Sequence, residues 1–183
     1  MGCAVDFSGL TLSYACGTVS SGGLKTIILA DRAQLIEDGA ITVPGGAVTI
    51  GGTGLVTSGV DILTLGFNNK DAFSNFTDVK TVNADGSASV VPTIQVEFLR
   101  MDAAKRTALE EIATPGAEIV AFIETAAGTY HMVGFDFGLY AGTVDGASGA
   151  ARTDKNRYQL TLIGEENVLA YTLDGANWAK VTA

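Results

Sequence analysis

Apolar and polar residues alternate along much of this chain, and long runs at helical spacing are nearly absent. In "VPTIQVEFLR" (91–100), Ile94, Val96 and Phe98 alternate with Gln95 and Glu97, which predicts a strand with one face on a core and the other in water. "NRYQLTLIGEEN" (156–167) repeats the pattern, with Tyr158, Leu160 and Leu162 set against Arg157, Gln159 and Thr161. "AEIVAFIET" (117–125) is apolar on both faces and reads as a central strand that turns at Ala127-Gly128 into a hairpin with "TYHMVGFDFGLY". "LKTIILA" (24–30) reads as a short buried strand, and "TDVKTV" as a strand ending in a tight corner at Asp85-Gly86.

One helix stands out in "MDAAKRTALEEIATPG", predicted over about 102–113. Asp102 can cap it, Met101, Ala104, Ala108, Leu109 and Ile112 recur at helical spacing, and Pro115-Gly116 stop it. "AITVPGGAVTIGGTGLVTSGVDILTLGF" (40–67) reads as two or three strands broken by glycine pairs, with Pro44 at a turn or edge. Its low bulk and low charge predict an extended arm or inter-subunit segment at about 38–60. "GTVDGASGAARTDK" (142–155) reads as a long loop of small residues, and the end of the chain as "VLAYTL", a turn at Asp174-Gly175 and a short tail with Trp178. The expectation is a single domain over 1–183, mainly β, with one helix.

Composition sharpens this picture. Glycine supplies 23 residues and proline only 3, which suits a fold of many turns. Twenty acidic against 11 basic residues give a formal charge of −9, and no basic cluster offers a grip on phosphates, so direct nucleic-acid binding is not expected. An acidic surface repels a polyanion and lets it pass without sticking. Cys3 and Cys16 lie near the N-terminus without a second cysteine or a histidine at metal-ligand spacing; buried thiols or one disulfide are both open. The first residues, "MGCAVDFSGLTLSYAC", lack the charged and apolar regions of a secretory leader, and Asp6 breaks the myristoylation pattern.

Catalytic signatures were sought by spacing. At the start of "VSSGGLKTIILADRAQL" (19–35), Gly22 and the preceding Gly17 have the separation of a phosphate-binding loop, but Gly23 stands where lysine is needed and a strand follows where a helix should, so the glycines read as a turn. His131 is the only histidine and sits between Tyr130 and Met132 in an apolar run, as a half-buried or interface residue would. The carboxylates Glu110-Glu111, Glu165-Glu166 and Asp136 near Asp145 could pair only if the fold brought them to one cleft. "DKN" (154–156) lacks the ligand spacing of a calcium loop. No cofactor or metal is expected.

The leader with two cysteines followed by "GGLKTIILA", the middle "NNKDAFSNFTDVKTVNADGSASVVPTIQVEF" and "RTDKNRYQLTLIGEE" together resemble the major tail tube proteins of bacteriophages, particularly a group in phages and prophages of Bacteroidetes-type hosts. The resemblance implies a β-sandwich or barrel of the tail-tube type, hexameric rings whose inner strands join into a continuous barrel, and rings stacked into a tube. It further implies self-association, contacts with tape-measure, terminator, baseplate or sheath proteins, DNA passing through the lumen without specific binding, and location in the virion after assembly in the host cytoplasm. Acidic lumens are usual in such tubes. Candidate inter-subunit residues are Pro44, Val48, Ile50, Leu55, Phe67, Phe73 and Phe76, and candidate lumen-facing residues are Gln95, Glu97 and Gln159. Two alternatives remain: another phage structural subunit (tail terminator, baseplate or capsid decoration), or a carbohydrate-binding or hydrolytic β-sandwich that would use residues such as His131 and Glu124.

Overall fold

Strands with apolar faces need both hydrogen-bond partners and a facing layer, and the structure, a computed structural model describing residues 22–37, 39–67, 74–151 and 154–183, supplies both from a single antiparallel sheet. Its strands are β1 (Leu24–Asp31), β4 (Ile62–Leu65), β5 (Asn75–Val82), β6 (Ala88–Leu99), β7 (Ile119–Thr125), β8 (Tyr130–Val133), β9 (Leu139–Ala147), β10 (Arg157–Gly164) and β11 (Tyr171–Leu173). A separate two-stranded ribbon joins β2 (Ile41–Thr42) to β3 (Thr49–Ile50). Three helices complete the described residues: α1 (Arg32–Glu37), α2 (Ala103–Ile112) and α3 (Gly175–Val181).

The sheet has two halves. In one, hydrogen bonds run in the order β4, β1, β7, β8, β11; in the other, β9, β10, β6, β5. They join only where Ile119 of β7 pairs with Leu139 of β9. Between them lies one core, built from Ile27, Leu29, Ala121 and Ile123 on the first half and Ile94, Val96, Leu160 and Leu162 on the second. The alternation read in β6 and β10 holds, and the register sets Leu160 opposite Val96 and Leu162 opposite Ile94.

The chain crosses between halves at Gly134–Gly138. Both glycines have φ of +85°, and a side chain at Gly134 would come within 2.6 Å of the Ile119 carbonyl oxygen, so the corner requires residues without a Cβ. Arg32, the first residue of α1, fixes this corner: its Nε and one terminal nitrogen donate to the carbonyls of Phe135 and Asp136, and the other bonds Glu118.

The first half also buries its second face. Ile28, Ala30, Val120, Phe122 and Met132 pack beneath Leu35, Ile41, Val48, Ile50, Leu55, Val60 and Val181, which explains why β7 reads as apolar throughout. This cover includes most of the segment expected to serve as an extended arm or inter-subunit segment. The segment 40–60 lies on the body, fastened by the chain's own α3: Ile50 N–H donates to Asn177 Oδ1, Lys180 Nζ to the Ile50 carbonyl, and Leu55 N–H to the Lys180 carbonyl. Its spaced apolar residues, sparse as they are, suffice to cover a sheet face.

Other expectations divide similarly. α2 begins where foreseen, Asp102 accepting from the Lys105 N–H, with Leu109 and Ile112 buried. It is not the only helix: Asp174 caps α3 by accepting from the Asn177 N–H, so "DG" opens a helix instead of a turn, and Tyr130 stacks on Trp178 at a ring separation of 4.8 Å. The stretch 142–147, read as loop, is strand, because β10 pairs with it and the side chains of Ile163 and Tyr158 lie over Gly142 and Gly146. Among the described residues no helix is long and apolar enough to cross a membrane.

Candidate functional site

Two features of the second half stand apart from ordinary packing. The first is its outward face. Strand register carries a polar row, Thr143, Thr161, Gln95 and Asn75, across all four strands, and beside it a second row of Asp145, Gln159 and Glu97. Asn75 Nδ2 donates to Gln95 Oε1 at 3.2 Å. Gln95 and Gln159 are half-buried. Glu97 differs from the expectation of an open, lumen-facing acid: it is 0% exposed, its oxygens accepting from Lys155 Nζ at 3.0 Å and an Arg157 guanidinium nitrogen at 2.7 Å. A buried carboxylate is stabilised by such pairing, and the β6–β10 register places Arg157 near Glu97. The face is therefore hydroxyl- and amide-rich more than acidic.

β5 and β9 are the outer strands of this half. Among the described residues β5 pairs only with β6, and β9 pairs with β10 and, beyond Leu139, with no other strand. Unpaired edges with exposed apolar side chains template further pairing. β5 carries Val79 and Val82, 56% and 69% exposed, and β9 carries Tyr140, 53% exposed, close in sequence to the exposed Phe137 of the corner.

The second feature is a cluster of acids at the 165–170 crossover, which takes the chain from β10 in one half to β11 in the other. Glu166 and Val90 of β6 exchange backbone hydrogen bonds at 2.8 and 3.0 Å. Asp78 of β5 accepts from the Ala170 N–H. Glu166 Oε2 accepts from the Asp136 N–H at 3.0 Å, and Asp136 in turn accepts from Asn167 and from the Tyr171 hydroxyl. Burial first, and the Asp136 charge after it, push the Glu166 carboxyl up to about 7. Burial and the same aspartate raise Tyr171. Asp136, singled out with Asp145, meets Glu166 instead. Asp78 was missed, although a lone acid between Phe76 and Lys80 at inward-facing positions breaks the alternation and could have marked it.

His131 and Glu124 are not brought together. β8 places His131 opposite Ile123 and Tyr130 opposite Glu124, so the two point to opposite faces of the first half. His131 Nε2 lies 3.2 Å from Thr129 Oγ1, its ring lies near Phe76, and burial lowers its pKa against the opposing pull of Asp78. Glu124 is buried and accepts from Lys25 Nζ and Thr26 Oγ1, which raises Lys25.

The named contact candidates are dispersed. Val48, Ile50 and Leu55 are enclosed in the second core, Pro44 is exposed at the start of a 3-10 turn, and Phe67 and Phe76 are half-buried against the first core. Phe73, Cys3 and Cys16 lie outside the described residues. Among the described residues no group of three or more metal-ligating side chains converges. Set against known proteins, the chain matches no family model, no curated protein and no solved structure.

Proposed function

We propose that this chain is a structural subunit that joins copies of itself edge to edge into rings, the part a tail tube protein plays in a phage or in a tail-derived injection device. The observation that carries the reading is that, among the described residues, the four-stranded unit β9, β10, β6, β5 ends in two strands that pair on one side only beyond Leu139, β5 carrying the exposed Val79 and Val82 and β9 the exposed Tyr140. A β5 edge meeting the β9 edge of the next copy makes a heterologous contact, and such a contact repeats around an axis until the ring closes. The polar outward rows of each copy would then form a continuous lining, with hydroxyls and amides that give a passing polyanion little to hold. The net charge of −9 adds repulsion at longer range. Stacking of rings and contacts with other tail proteins belong to the same proposal through the resemblance.

Negative-stain imaging of the purified chain at increasing concentration tests this reading. Rings or stacked tubes are expected, and Val79→Lys with Val82→Lys should abolish them while circular dichroism stays that of the wild type. Strictly monomeric protein at all concentrations would end the proposal. Isolated rings that never stack would favour a terminator over a tube.

A further inference from the structure

The Glu166 site is built in an unusual way for a buried acid. The residue is 7% exposed, one carboxyl oxygen accepts from the Asp136 N–H, and the other, Oε1, is buried without a hydrogen-bond partner. Asp78 of β5 offers a second buried oxygen without a partner, Oδ1, to the same space. That space is walled by Pro92, Met132, Val133, Leu169 and Tyr171 and leaves no room for a water molecule. The groups facing Glu166 are the Asp136 carboxylate and the Arg32 guanidinium from the corner, Asp78 from β5 and the Tyr171 hydroxyl from β11. Beyond them, His131 of β8 feels Asp78. One cation against several acids, with no space for a metal or for solvent, leaves a proton as the species that can neutralise the site.

From this geometry we infer that Glu166 is a proton-operated latch: the crossover 165–170 closes on both halves of the sheet with Glu166 protonated, and loosens when that proton leaves to water. The Glu166 backbone bonds to Val90, the Asp136 N–H bond and the Ala170–Asp78 bond are the contacts that loosen together. The sign follows from the raised carboxyl. An acid ordinarily at 4.5 and held at about 7 in the closed state contributes closure that is complete below 4.5 and is lost as pH rises to about 7, because between those values only the open state releases its proton. Closure is thus weakest at mildly alkaline pH, the reverse of the dependence expected of a salt-bridged carboxylate. The latch belongs to the subunit itself and does not depend on ring formation.

Two measurements on the full chain test it. Carbon-detected NMR of the side-chain carboxyl should place the Glu166 midpoint near neutrality; a midpoint in the ordinary glutamate range would overturn the latch. Hydrogen exchange of the amides of Val90, Asp136, Glu166 and Ala170, corrected for intrinsic rates, should lose roughly 50- to 100-fold in protection between pH 5 and pH 8. In Glu166→Gln, neutral at every pH, those four amides should lose the pH dependence. Wild-type protection that is flat with pH, or a Gln variant that keeps the dependence, would sink the proposal. Should Glu166→Gln fail to fold, the carboxyl midpoint in the wild type still decides.

Discussion

The two halves of the sheet use similar strands to opposite ends. The β4, β1, β7, β8, β11 half is covered on both faces, by the shared core on one side and by the 40–60 segment, α1 and α3 on the other. The β9, β10, β6, β5 half shares the same core but keeps one polar face and, among the described residues, two outer strands paired on one side only beyond Leu139. Coverage makes the first half the source of stability. Exposure leaves the second half the surface that can meet other molecules. Because both are parts of one sheet, joined at Ile119 and Leu139, an event at the free edges is anchored in a rigid body without passing through a flexible linker.

Substitutions can pull this contrast apart. The largest effect is expected from Phe122→Ala, which empties a fully buried site in the doubly covered half and should cost about 3–5 kcal/mol in denaturant unfolding. A cost below about 1 kcal/mol would mean that the layer of 40–60 over β7 is loose. Next comes Glu97→Gln, which weakens the bonds to Lys155 and Arg157 and should cost about 2 kcal/mol, measured the same way. An unchanged midpoint there would show that the polar rows contribute nothing to holding the second half. Smallest is Val79→Ser, which should move monomer stability by no more than about 0.5 kcal/mol while shifting self-association measured by sedimentation. If instead it destabilised the monomer as Phe122→Ala does, the free edge would be part of the core's support.

How much of this was legible in the sequence depends on the range of the interactions. β6 and β10 could be read because alternation between Ile94, Val96, Phe98 and Gln95, Glu97 is a local signal, and α2 because Asp102 and the Leu109 and Ile112 spacing lie within a few turns. The 142–147 strand could not, since Gly142, Asp145 and Gly146 outweigh the strand preference of Thr143 and Val144 in "GTVDGA"; its pairing is supplied by β10, and its glycines leave room for Tyr158 and Ile163. The packing of 40–60 on its own sheet was hidden for the same reason: its apolar residues are too sparse to announce a layer, and the bonds that fasten it come from Asn177 and Lys180 far along the chain. At the candidate sites, Glu166 and Asp136 were visible as acids, but their meeting depends on the corner at Gly134–Gly138 and on the crossover. The two free edges were invisible too, because an edge is defined by the absence of a partner, which no local pattern records. β7, by contrast, is paired on both sides, and β2 with β3 is packed into the second core.

The pairing of β1 with β7 carries a consequence for how the molecule is made. Lys25 and Glu124, linked across these strands, are 99 residues apart, so at a typical synthesis rate of about 5–20 residues per second the "TIILA" segment waits several seconds for its partner to leave the ribosome. During that interval one of the most apolar strands in the protein has only β4 to pair with. Slow, long-range closure of this kind places the hazard of misassembly early in the life of the chain, and a holdase that shields residues 24–30 of the nascent chain would relieve it.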